Sequence, residues 1–63
     1  MIRVNGEPHI LVSSVSVLLK ELGLDKATVA TALNGVFVPS AKRDTALLKS
    51  GDEVEILAPM QGG

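Results

Sequence analysis

Near both ends of the chain apolar and polar residues alternate, and between those stretches the apolar spacing changes to that of a helix. Ile2 and Val4 alternate with Arg3 and Asn5, the period-2 pattern of a strand with one buried face. Asn5-Gly6 then predicts a hairpin, because a type I′ turn needs positive φ at both central residues. The return strand is expected over Pro8 to Val12, with Ile10 and Val12 inward. Pro8, having no backbone donor, belongs at the start of this strand or on the sheet edge.

Ser13 or Ser14, with Ser14 preferred, offers an oxygen to the free amides of a helix start. Val15, Leu18, Leu19 and Leu22 fall at i, i+3, i+4 and i+7, one apolar stripe facing a sheet, while Lys20 and Glu21 point outward. Gly23 suits the left-handed position after the helix, and Leu24 can pack back on Leu19. Thr28 to Leu33 reads as a third strand, Asn34-Gly35 repeats the hairpin signal, and Val36-Phe37-Val38 returns until Pro39 ends it. Ser40 to Ser50 has no sustained period, although Ala46, Leu47 and Leu48 suggest a helical or 3-10 turn with a leucine buried. After Lys49-Ser50-Gly51-Asp52, which is turn chemistry, Glu53 to Ile56 alternate again, with Val54 and Ile56 inward and both carboxylates in solvent.

Hairpin, helix, hairpin, helical turn and strand in that order predict an α+β β-grasp, a mixed sheet packed on one main helix. The last strand is expected parallel to the first, near the middle of the sheet. Residues 1–58 form the expected domain, and 59–63 a flexible C-terminal Gly-Gly tail. Fully extended, that tail reaches roughly 16 Å at about 3.3 Å per residue.

Composition narrows the chemistry. At 63 residues the chain makes one domain, and its core is aliphatic, with Phe37 the only aromatic residue. Without cysteine there is neither a disulfide nor a thiolate metal site. A net charge of -1 with interspersed signs, and no apolar run near the length of a membrane span, argue against nucleic-acid and membrane partners. A cytoplasmic protein is expected, since the N-terminus shows no signal-peptide pattern. Lys42-Arg43 reads as solvated loop, His9 as a surface imidazole, the serines as caps, and Glu53 and Glu55 as a solvated face.

No phosphate loop, dinucleotide fingerprint, metalloprotease motif or Cys-His pair occurs, so the chain reads as a substrate of other enzymes rather than an enzyme. The closing Met60-Gln61-Gly62-Gly63 fits that role. Two glycines have no Cβ and can thread a narrow channel, and an activated glycyl carbonyl is unhindered. Phe37, Leu57 and Met60 look hard to bury together with the helix-facing set, which predicts either an exposed apolar patch near the tail, where a partner protein docks, or a Phe37 folded under the Ser40 to Ser50 loop as satellite core.

With these residues in place, the sequence resembles the ThiS family, small sulfur carriers of thiamine biosynthesis, over essentially its full length. Three segments carry the likeness: Val29-Ala30-Thr31-Ala32-Leu33-Asn34-Gly35 followed by Val38-Pro39; Leu48-Lys49-Ser50-Gly51-Asp52-Glu53-Val54-Glu55-Ile56; and Gln61-Gly62-Gly63. The resemblance implies a ubiquitin-like β-grasp that binds no cofactor itself. It further implies that a ThiF-like, E1-like enzyme uses ATP and magnesium to adenylate Gly63. A sulfurtransferase or cysteine desulfurase would then supply the sulfur of a thiocarboxylate, and a ThiG-like thiazole synthase would receive it. Met60, Gln61 and Gly62 would occupy the partners' channels, and Phe37 and Leu57 would form the docking patch. Ser40-Ala41-Lys42-Arg43 departs from relatives in which an aromatic often follows the proline. Other readings of such a chain are the molybdopterin-synthase small subunit, whose chains tend to be longer, a ubiquitin-like modifier of lysines, and an interaction module with an inert tail.

Overall fold

A computed structural model describes residues 1–58. In chain order these form β1 (Ile2–Val4), β2 (Glu7–His9), α1 (Val15–Glu21), β3 (Ala30–Leu33), β4 (Val36–Val38), a 3-10 turn (Ser40–Lys42) and β5 (Glu53–Leu57). The strands make one sheet in the order β2-β1-β5-β3-β4, with β5 parallel to β1 and the other pairs antiparallel. This is the predicted mixed sheet on one helix, with the last strand at its centre. Both hairpins turn at Asn-Gly, with φ of 51° and 82° at Asn5 and Gly6 and of 51° and 83° at Asn34 and Gly35, the left-handed pair that a type I′ turn demands.

The short helix is fixed at both ends by hydrogen bonds. Ser14 caps it as expected, its Oγ accepting from the Val17 amide at 3.2 Å. The Val15 and Ser16 amides donate instead to the carbonyls of Ala46 and Arg43, so two more of the free donors of the helix start are met by a distant loop. At the other end Gly23 sits at φ 73°, the Leu24 amide donates to the Leu19 carbonyl at 2.7 Å and the Gly23 amide to Lys20 at 3.1 Å, the paired bonds of a Schellman ending.

Val15, Leu18 and Leu19 are buried against Ile2, Val4, Leu48, Val54 and Ile56. Leu22 departs from the predicted stripe. It is the C-cap residue and 39% exposed, and Leu24 packs on the core from beyond the turn.

Four further expectations need correction. β2 ends at His9, so Ile10 is 65% exposed while Val12 alone packs on the core. The reason is the partner: β1 offers only Ile2–Val4, and its pairing ends at Ile2 with His9. The third strand begins at Ala30 rather than Thr28, where its register with β5 begins opposite Leu57. The 3-10 turn lies over Ser40–Lys42, not Ala46 to Leu48. That later stretch runs beside the helix start, where Ser14 bridges Leu47 and the Leu48 amide donates to the Ser13 carbonyl, burying Leu48 and exposing Leu47. Arg43 is not merely solvated either: its Nε donates to Thr31 Oγ1 at 3.1 Å and a terminal nitrogen to the Val29 carbonyl at 2.6 Å, pinning this loop to β3.

The entry to β5 rests on a buried carboxylate. Asp52 accepts from Asn34 Nδ2 at 3.0 Å and from the Lys49 amide at 2.9 Å, and Asn34 also holds Glu53 through its own amide and Oδ1. The Asn34 bond, followed by the Lys49 amide, holds the Asp52 carboxyl below the ordinary aspartate range despite desolvation, with the exposed Lys49 ammonium adding less.

Leu18→Ala should cost about 2–5 kcal/mol, against a total stability of roughly 3–9 kcal/mol for a chain of this length, whereas Leu22→Ala should cost about 1 kcal/mol or less; urea unfolding distinguishes them. Because the folded state lowers the Asp52 pKa, its contribution is complete above the unfolded value of about 3.9 and is lost as pH falls through the lower folded value. The urea midpoint should therefore fall on acidification below about pH 4, and fall less steeply in Asp52→Asn, which starts lower.

Candidate functional site

Side chains alternate across β5, so Val54 and Ile56 enter the core while Glu53, Glu55 and Leu57 face away from the helix. The pairing registers fix their neighbours on that outer face. Ala32 lies between Glu55 on β5 and Phe37 on β4, and Ala30 lies opposite Leu57. Two alanines thus form a low floor between larger side chains.

The result is a shallow cleft of about 100 Å³ lined by Ala30, Thr31, Ala32, Phe37, Glu55 and Leu57. Phe37 and Leu57 remain 65% and 70% exposed. Phe37 does not fold under the Ser40 to Ser50 loop, because that loop packs at the helix start and Arg43 ties it to β3. A second depression, lined by Thr28, Val29, Ala30, Leu57 and Ala58, adjoins the first at Leu57 and Ala30, where the described chain ends. The other half of the outer face is polar, with Arg3 and Glu53 adjacent in register and the Arg3 guanidinium donating to the Gly6 carbonyl at 2.7 Å.

The predicted patch residues Phe37 and Leu57 therefore share one cleft, whereas Met60, Gln61, Gly62 and Gly63 lie outside the described residues. Sequence reading missed Ala30, Ala32 and Glu55, whose alignment depends on strand register and has no local signal. It also missed the Asn5 side chain, because turn chemistry alone accounts for an asparagine before Gly6. Among the described residues no group of three or more His, Cys, Asp or Glu could hold a metal ion, and no helix is long and apolar enough to cross a membrane.

A five-stranded mixed sheet with a central parallel pair, one helix on one face and an apolar cleft on the other defines a ubiquitin-like β-grasp domain. The chain belongs to the ThiS family, whose model matches residues 2–63. It is similar to the crystal structure of a thiamine biosynthesis protein (ThiS) from Geobacter metallireducens, with 36% identity, 98% of this chain and 97% of that one covered, and a TM-score of 0.79. No curated protein matches it.

Proposed function

We propose that this chain is a sulfur carrier of thiamine biosynthesis and that Gly63 is the carrier residue. The observation that carries the reading is the family match, which runs through the closing Gly62-Gly63. In this reading an E1-like enzyme joins the Gly63 carboxylate to the AMP portion of ATP, with magnesium, and pyrophosphate leaves. A sulfurtransferase or cysteine desulfurase then delivers sulfur as a cysteine persulfide, whose outer sulfur attacks the acyl carbon while AMP departs with the bonding electrons. A second thiol, acting as the reductant, attacks the donor cysteine's sulfur in the resulting acyl disulfide, forming a disulfide with it and releasing the thiocarboxylate. Thiazole synthase takes that sulfur.

The chain's own part is presentation. Glycine leaves the activated carbonyl open on every side, and Gly62 keeps the approach narrow. The cleft between Phe37 and Leu57 offers the adenylating enzyme an apolar hold close to the end of β5. Family membership also favours the thiazole branch over the molybdopterin-synthase reading.

Intact-mass measurement after incubation with ATP, magnesium, an E1-like enzyme and a sulfide source should show one oxygen replaced by sulfur. Deletion of Gly62 and Gly63 should abolish that change, and an unaltered mass in the complete chain would overturn the proposal. Phe37→Asp should lower kcat/KM for adenylation about tenfold or more, as expected for an apolar anchor, while leaving unfolding within about 0.5 kcal/mol of the parent because the side chain is exposed. Loss of folding in that variant would instead make Phe37 part of the core.

A further inference from the structure

β1 pairs with β5 only as far as Val54. The Arg3 amide donates to the Asp52 carbonyl at 3.0 Å and the Asn5 amide to the Val54 carbonyl at 2.9 Å, and there the chain reverses at Asn5-Gly6. Continuing the parallel ladder would require a further carbonyl and a further amide opposite Ile56. Asn5 supplies both from its side chain: Oδ1 accepts from the Ile56 amide at 2.7 Å, and Nδ2 donates to the Ile56 carbonyl at 3.1 Å. A carboxamide is suited to this because it carries an acceptor and a donor on one planar end, as a peptide group does.

We propose that Asn5 is a positioning residue for the C-terminal segment, a surrogate peptide that extends the β1–β5 pairing to Ile56 and thereby aims the residues beyond Leu57 into a partner's site. The inference rests on the carrier function proposed above. Ile56 is buried in the core and Leu57 flanks the cleft, so a shift at this point alters the direction in which the chain leaves the domain relative to the docking surface. The second hairpin provides an internal control. Asn34 also precedes a glycine, has the same φ of 51°, and bonds to Glu53 and Asp52, but it holds the opposite end of β5. Its loss should loosen the fold without misdirecting the exit.

The test uses the complete chain carrying Asn5→Gly, Asn5→Asp or Asn34→Gly. Gly and Asp both suit a type I′ turn, so a purely turn-forming role predicts little change in either Asn5 variant. A positioning role predicts a graded order instead. Asn5→Gly should lower kcat for adenylation about ten- to a hundredfold with KM within about twofold, since misplacement of a reacting group acts on the chemical step. Asn5→Asp, which keeps the acceptor for the Ile56 amide but not the donor, should lie between it and the parent. Hydrogen exchange at the Ile56 amide should accelerate in Asn5→Gly and remain at the parent rate, relative to global stability, in Asn34→Gly. Parental kcat and parental Ile56 exchange in Asn5→Gly would overturn the inference, as would an equal fall of kcat in Asn34→Gly. Failure of the parent chain to be adenylated would overturn the carrier function and the aiming role with it, and Ile56 exchange would still decide whether Asn5 holds the strand.

Discussion

Val54 and Ile56 of the central strand lie under Val15, Leu18 and Leu19, and this contact is the one on which the rest of the structure depends. The helix has seven residues, about two turns, too few to persist alone in water. Burial of Val15, Leu18 and Leu19 against β5, together with carbonyls of the Arg43 to Ala46 loop meeting its first amides, makes it a helix. β5 in turn holds the two hairpins together, for β1 and β3 both pair with it and with no other common strand. The strand that leads to the closing glycines is thus also the one most completely secured.

A single short helix can cover only one face of five strands, and the uncovered face is where the chain becomes specific. Near β1 that face carries Arg3 and Glu53, ordinary solvated groups. Near β3 and β4 it carries Ala30, Ala32, Phe37 and Leu57, with Glu55 at the border. Nothing in the packing of the core requires Phe37 or Leu57 to be large and apolar there, since neither is among the residues packed around the helix. An apolar cleft with no structural duty, beside the end of the central strand, is what a docking surface needs.

The parts of the fold legible in the sequence were those set by near neighbours in the chain. The Ser14 cap, the Gly23 ending and both Asn-Gly turns are local hydrogen-bonding problems with few solutions, and each was readable from three or four residues. Ile10, Leu22 and the Ala46 to Leu48 stretch were not legible because distant partners decide them. β1 is too short to extend β2, Leu24 takes the position adjoining the helix end, and the start of α1 draws the later loop into an extended conformation. Phe37 and Leu57 could be identified as surplus to the core, but their meeting across Ala30 and Ala32 required the register. Asn5 illustrates a further limit: a residue fully explained by one local role conceals a second, long-range one.

The small size of the cleft bears on how a carrier works. A Phe of this kind buries about 150–250 Å² and a leucine less, well short of the roughly 1,200–2,000 Å² in a stable interface. Such a patch cannot by itself hold a partner for long, and a carrier that must leave one enzyme loaded and reach another has no use for a surface that could. Under the proposed carrier function, the remaining contact area would come from the polar part of the sheet face and from the residues that follow Leu57. Adding affinity at the cleft would strengthen binding before and after the transfer alike, which slows release without assisting the chemistry. Affinity in the segment acts only when it is correctly directed. For a domain of this size the more effective constraint is therefore on the direction of the exit, which makes the bonds that secure the last residues of β5 as consequential for function as the apolar surface beside them.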